Sequence, residues 1–359
     1  MLHRLLRYGW GAAAAGRAHV GRLAVPMKLT FAVTYWCQYR CATCNIWRRR
    51  PEDELSTDEI LAFIRNTTGV AWADITGGEI FLRPDAAELL DAFAASWRRL
   101  AVLHFPTNGF LTDRIVAATA QIARRRGPTI VVTVSVDGDR ALNDEIRGMP
   151  GGFDHQMETF RALRRIPGVR AAIGMTLSRG NVGAVDATFA ACAKAVPGLR
   201  DADLHVNVLQ VSDHYYGNDD LRGAMPPPDV ARAVVRQQRQ RRALPLTPSA
   251  WLERRYLRHL ERYLETGRTP MRCHALRSSC FIDPWGVVFP CLTYSRPLGS
   301  LRNTGMDLAP IWRGAEAAGR QAEIWRGECP QCWTACDAYP TILGNAFWPG
   351  RTRETRSRG

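Results

Sequence analysis

The sequence predicts an α/β protein: a partial barrel of six strand–helix units, followed by a smaller cysteine-bearing module. Between Met27 and Ser212, short runs rich in β-branched and apolar residues alternate with longer segments of helical periodicity. Such alternation gives a parallel sheet with right-handed crossovers. Six units make a barrel open on one side, with ligands expected at the carboxyl ends of its strands. Beyond Ser212 the alternation stops, and six cysteines fall within the 64 residues from Cys273 to Cys336.

Residues 1–26 read as a basic N-terminal arm. The barrel, 27–212, has strand candidates "MKLTFAVTY", "WADITGG", "VLHFPTNG", "TIVVTVSVDG", "AAIGMTLS" and "DLHVNVLQVS". "STDEILAFIRNTTG" opens on Ser56 with acidic residues in its first turn, which marks a helix start. "RPDAAELLDAFAASWRRL", "TDRIVAATAQIARRRG" and "VGAVDATFAACAKAVPG" also carry helical periodicity. Residues 213–270 form a helical connection, entered through a loop rich in Gly and Pro and containing an amphipathic "WLERRYLRHLERYLETG". The cysteine module spans 271–345, and 346–359 is a basic tail expected to be disordered.

At 359 residues with 46% hydrophobic content, the chain can bury a sizeable core. No apolar run is long enough to cross a bilayer, and "GAAAAG" is too short for a signal-peptide core, so a cytoplasmic location is expected. The net charge of +14 suggests nucleic acid, but only Lys28 and Lys194 are lysines, and the arginines fall mainly in the arm, in the stretch from Arg236 to Arg268 and in the tail. Solvated faces explain this better than a nucleic-acid partner. Leu2, Leu5 and Leu6 with Arg4 and Arg7 make a weak basic amphipathic start suited to contact with an acidic membrane surface.

"WCQYRCATCNIW" places Cys37, Cys41 and Cys44 in C-x3-C-x2-C spacing directly after the first strand. A structural zinc site is closed by four ligands. Three thiolates instead suit a four-iron cluster that keeps one iron open for a small molecule. "ITGGEIFLRPD", "PTNG" and "SVDG" follow the second, third and fourth strands. Together these motifs resemble the radical S-adenosylmethionine (SAM) superfamily. The resemblance implies a [4Fe–4S] cluster on Cys37, Cys41 and Cys44, with SAM chelating its open iron. It also implies that Gly77, Gly78 and Glu79 contact the SAM amino group, that Ser135 and Asp137 approach its ribose, and that Asn108 lines the site. No catalytic side chain is assigned beyond cluster and cofactor. The residue before the third cysteine, often aromatic in the family, is Thr43 here, which leaves the adenine contact to Ile46 or Trp47.

Cys273, Cys280, Cys291, Cys329, Cys332 and Cys336 form a second group of ligand candidates, while Cys192, midway along a helix, reads as core. "CFIDPWGVVFPC" reads as a hairpin turning at Gly286, and "CPQCWTAC" as a C-x2-C-x3-C loop. This module resembles the SPASM or twitch auxiliary-cluster domains of radical SAM enzymes. Six cysteines against the seven of the full pattern imply one auxiliary [4Fe–4S] cluster and leave a second open; a zinc ribbon is the bland alternative.

The resemblance as a whole implies an enzyme that cleaves SAM reductively to a 5′-deoxyadenosyl radical, which abstracts hydrogen from a peptide or small molecule. It further implies a reducing partner such as flavodoxin or ferredoxin. An RNA-modifying radical enzyme and a non-catalytic zinc or iron–sulfur binding protein are the rival readings. His205 and Asn207 are expected to face the barrel interior, His104 reads equally well as a structural histidine, and Asp213, His214 and Tyr215 are candidate substrate contacts at the barrel mouth.

Overall fold

The computed structural model describes residues 2–125, 127–242 and 244–346; the expected basic tail lies outside them, apart from Ala346. The chain runs α1 (Leu2–Val20), β1 (Lys28–Thr34), α2 (Thr57–Asn66), β2 (Trp72–Gly77), α3 (Ala86–Ser96), β3 (Val102–Thr107) and α4 (Thr112–Ala123). There follow β4 (Thr129–Ser135), α5 (Arg140–Arg147), α6 (Gly152–Arg164), β5 (Val169–Leu177), α7 (Val185–Ala195) and β6 (Leu204–Val208). The remainder comprises α8 (Pro228–Arg241), α9 (Pro248–Thr266), β7 (Ser279–Ile282), β8 (Val287–Phe289), β9 (Gly299–Ser300), α10 (Ala309–Arg313), α11 (Ala315–Arg326) and α12 (Ala335–Ala346).

All six expected strands form and pair in parallel, in the order β6-β5-β4-β3-β2-β1. Helix starts follow local chemistry. At α2 the Ser56 hydroxyl accepts the Glu59 N–H at 3.2 Å and the Glu59 carboxylate accepts the Ser56 N–H at 2.9 Å, a reciprocal cap that satisfies two otherwise orphaned donors. The expected arm is instead largely a helix, α1: Ala14, Ala15 and Ala18 are buried, and the helix packs on α12 because small side chains allow close approach.

The hairpin of the cysteine module is not a separate sheet. β7 pairs in parallel with β1, from Lys28↔Ser279 to Phe31↔Ile282, and β8 and β9 extend the sheet antiparallel to nine strands. This covers the edge of β1, which would otherwise present unpaired N–H and C=O groups. β1 is accordingly buried along its whole length.

Residues along β3, β4 and β6 alternate between fully buried and half-buried. The buried set, including Leu103, Phe105, Val132, Val134 and Val206, packs into the main core. The opposite set, His104, Thr133, Ser135, His205 and Asn207, faces a polar lumen. α9 and α12 close the open side at the amino ends of the strands. Tyr339 of α12 stacks on Trp72 at 5.7 Å, and Glu253 of α9 bonds His205 at 3.0 Å.

Candidate functional site

The loops after β1, β2, β3 and β4 meet at the carboxyl ends of the strands. The Thr34 carbonyl accepts the Gly78 N–H and the Trp36 carbonyl accepts the Glu79 N–H, each at 2.8 Å. A Cβ on Gly78 would sit 2.2 Å from the Trp36 oxygen, and one on Gly77, whose φ is +144°, 2.0 Å from the Thr34 oxygen. Only glycines permit this approach. The Gly-Gly-Glu turn is therefore stitched to the segment that leads into Cys37.

Glu79 is fully buried. Its Oε2 accepts the Asn108 N–H at 2.7 Å and the Thr107 hydroxyl at 2.9 Å, and Oε1 accepts the Phe81 N–H at 3.3 Å. Burial pushes its pKa up to about 7 against these bonds. The Asn108 side chain donates to Gln38 Oε1 at 3.1 Å, linking the third loop to the cysteine loop. Asp137 is also committed within the protein: Oδ2 accepts from Arg147 at 2.6 Å and Oδ1 accepts the Thr176 N–H at 2.9 Å. Ser135, at the end of β4, is half-buried on the lumen face.

Cys37, Cys41 and Cys44 lie together on one loop, close enough to influence one another's acidity. Burial raises the thiols of Cys37 and Cys44 to about 12, and Cys41 is raised for the same reason. The main opposing charge at Cys41 is Arg147, a buried cation that the sequence reading missed. Arg147 is the last residue of the short helix α5, which Gly148 ends with a φ of +60°. Its guanidinium lies 5.4 Å from the Tyr39 ring. Arg147 Nε and Tyr39 Oη are buried with no partner among the described residues, as are both amide atoms of Gln156, which packs beside Gly109. Orphaned buried polar atoms around three thiols fit a polar ligand beside a thiolate-bound group.

Thr43 gives its carbonyl to Asn218 Nδ2 at 3.0 Å. Ile46 is buried in an apolar cluster, and Trp47 lies between Arg40 and Arg48, its indole Nε1 buried and without a partner among the described residues.

The six C-terminal cysteines divide. Cys273 is close to Cys291 and Cys329, and Cys291 lies beside Cys332. Cys336 lies near Asp74 and Lys28, its carbonyl accepting from Lys28 Nζ at 2.6 Å, and Cys280 is raised by burial with Lys28 and Asp337 nearby. The structure thus gathers four thiols, Cys273, Cys291, Cys329 and Cys332, where the sequence reading grouped six. Among the described residues no three His, Cys, Asp or Glu side chains converge as a single ion requires. Cys192 is core, 1% exposed.

The polar residues at the barrel mouth and lumen have definite partners. His214 bonds Ser295 Oγ at 2.9 Å and the Cys291 carbonyl at 3.1 Å, stacked 4.1 Å from Phe289. Tyr215 shares a 2.8 Å hydrogen bond with Thr76. Both are buried braces between barrel and module, not free substrate contacts. Asp213 is exposed and lines a cavity of about 620 Å³ with Tyr263, Tyr294 and Gln331. His104 is satisfied by Asp74 at 3.1 Å and Thr133 at 2.9 Å, with Asp74 also paired to buried Lys28 at 2.7 Å. His205 bonds Glu253 at 3.0 Å, and Asn207 accepts from Tyr256 at 2.9 Å.

Comparison with known proteins agrees with this organisation. Residues 31–181 match the radical SAM superfamily, and residues 273–337 match the SPASM iron–sulfur cluster-binding domain. The chain is 26% identical over 357 residues to the AdoMet-dependent heme synthase of Oleidesulfovibrio alaskensis, covering 88% of this chain and 84% of that protein. It is 32% identical over 145 residues to the subtilosin biosynthesis protein AlbA of Bacillus subtilis, covering 39% of this chain and 31% of AlbA. Identity to the mycofactocin maturase MftC of Mycobacterium tuberculosis is 29% over 277 residues, 75% of this chain and 65% of MftC. The matched part is thus less than two thirds of AlbA and of MftC. In fold the chain is similar to Streptococcus suis SuiB bound to its precursor peptide SuiA, with a TM-score of 0.59 and 17% identity over 87% of this chain and 70% of SuiB. No helix among the described residues is long and apolar enough to cross a membrane. The chain belongs to the radical SAM superfamily and carries a C-terminal SPASM iron–sulfur cluster-binding domain.

Proposed function

We propose that the protein binds SAM at a [4Fe–4S] cluster held by Cys37, Cys41 and Cys44 and abstracts hydrogen from a peptide. The observation that carries this reading is the set of three thiols on the first loop, facing the buried, partly unpartnered Arg147. When bound, the cluster supplies the electron that splits SAM into methionine and a 5′-deoxyadenosyl radical.

The protein's own residues bind and orient. Arg147, a cation in a low-dielectric setting, attracts the SAM carboxylate. Gly77 and Gly78 let the second loop close on the cysteine loop and so reach the cofactor with their backbone, while Ser135 and Asn108 line the cofactor. Glu79 and Asp137, their oxygens already bonded within the protein, act by holding the turns that carry Asn108 and Arg147. α9 and α12 close the lumen against water from the amino ends of the strands.

Cys273, Cys291, Cys329 and Cys332 would hold one auxiliary [4Fe–4S] cluster, which needs about four thiolates. A peptide substrate is supported by the precursor-peptide complex of SuiB and by relatives named as maturase and bacteriocin biosynthesis protein. The test is anaerobic reconstitution with iron and sulfide, then SAM and dithionite. Formation of 5′-deoxyadenosine is expected; its absence from fully loaded protein would contradict the proposal.

A further inference from the structure

α9 has two dissimilar faces. Tyr256, Leu257 and Leu260 are fully buried, and Tyr256 and Tyr263 lie near the Cys332 thiol. On the outside, Arg255, Arg258 and Arg262 are exposed. Spaced three and four residues apart, they form one stripe along the helix.

None of these three guanidiniums has an ion-pair partner among the described residues. Their neighbours across the helix pair do: Arg232 pairs with Glu265 at 2.8 Å, and Arg239 and Arg236 share Glu261 at 2.5 and 3.4 Å. Arg255 rests over the Trp251 ring at 5.5 Å, which extends the stripe by one turn. Like charges at these spacings repel.

The stripe lies on the helix that covers the Cys332 thiol. His259, one residue from Arg258, packs edge-on against Trp333 at 5.6 Å. After burial, Arg255, Arg258 and Arg262 are what hold its pKa down, at about 4, so their field reaches this ring. Trp333 is 2% exposed, donates to the Tyr256 carbonyl at 3.1 Å and directly follows Cys332 in the chain. From stripe to thiol is therefore about one helix diameter, roughly 10 Å.

We propose that the Arg255–Arg258–Arg262 stripe is the docking surface of an acidic one-electron carrier protein that exchanges electrons with the C-terminal cluster. The proposal rests on the reading of Cys273, Cys291, Cys329 and Cys332 as cluster ligands. In the transfer the reduced carrier loses one electron and the cluster gains it; no bond is made or broken. Charge complementarity selects an acidic partner and speeds its encounter. A single-stranded RNA would also meet arginines, but it has no reason to sit over the Cys329 and Cys332 thiols.

The test uses the anaerobically loaded full chain and an acidic flavodoxin as probe. Binding is followed by interferometry, and 5′-deoxyadenosine is measured with either flavodoxin or dithionite as reductant. Wild-type binding should weaken by about tenfold or more between ~50 and ~300 mM NaCl. Arg255→Glu, Arg258→Glu and Arg262→Glu together should cost about tenfold or more in flavodoxin affinity and in flavodoxin-driven turnover, with dithionite-driven turnover unchanged. The corresponding triple Gln variant should fall between. Flavodoxin binding and turnover equal to wild type in the Glu variant would overturn the proposal, as would a loss confined to binding of a short single-stranded RNA. Absence of 5′-deoxyadenosine with dithionite in the wild type would instead count against the proposed function, leaving the binding comparison to judge the surface.

Discussion

The Glu79 carboxylate accepts the backbone N–H of Asn108 at 2.7 Å, joining the turn after β2 to the turn after β3 directly beside the cysteine loop. The same oxygen takes the Thr107 hydroxyl at 2.9 Å, so one buried group fixes two of the loops that build the site. Replacing it leaves buried donors unsatisfied, at about 1–3 kcal/mol. Glu79→Ala should therefore lower the unfolding free energy by about that amount and weaken SAM binding, while the iron–sulfur absorbance persists. Loss of iron from this variant alone would show that Glu79 supports the cluster itself.

Gly78 tests the close approach of the second loop to the first. A methyl group there would overlap the Trp36 carbonyl, a backbone atom that cannot rotate away. Gly78→Ala should cost about 1–3 kcal/mol and deplete the iron bound at Cys37, Cys41 and Cys44. Gly183→Ala, at a position with open space around it, is the matched control. Equal thermal midpoints and iron contents for the two variants would refute this account of the turn.

The division of the C-terminal cysteines predicts iron contents. Wild-type protein should hold about eight irons, four in each of two clusters. Serine at Cys329 or Cys332 should remove about four, whereas Cys280→Ser and Cys336→Ser should leave the count intact. Stoichiometric zinc with almost no iron after anaerobic purification would favour a structural ribbon instead.

Most of this site was legible in the sequence because its chemistry is local. C-x3-C-x2-C spacing, glycines at a strand end and turn residues after apolar runs all sit within a few positions of one another. What depends on distant partners was not legible. Arg147 acquires its meaning only when α5 folds back over the cysteine loop, and nothing near it in sequence announces that. His214 and Tyr215 looked like free groups of a polar loop, yet Phe289, Ser295 and Thr76 enclose them. Cys336 shares a motif with Cys329 and Cys332 but lies on α12, whose packing turns it toward Lys28 and Asp74. The pairing of β7 with β1 likewise reflects an open sheet edge, a property of the assembled barrel.

Glu253 gives a pH prediction. It bonds His205 at 3.0 Å and Tyr339 at 2.5 Å and pairs with Arg242 at 3.3 Å. These partners overcome burial and hold its pKa at about 2, below its ordinary 4.5. A depressed carboxylate binds fewer protons in the folded state, so its stabilisation is present above about pH 4.5 and is lost as pH falls toward 2. Glu253→Gln should accordingly destabilise the protein in urea unfolding at neutral pH, and the gap from wild type should narrow as the acid limb is approached. A gap independent of pH would contradict the assignment.

The central claim is that Cys37, Cys41 and Cys44 hold the cluster at which SAM is cleaved. It is tested most directly by measuring 5′-deoxyadenosine from anaerobically reconstituted wild type and from the Cys37→Ala, Cys41→Ala, Cys44→Ala triple variant, with dithionite as reductant and iron assayed in both. The account predicts product from the wild type, and from the variant none, with about four irons retained. Product formed by the variant at the wild-type rate would contradict it.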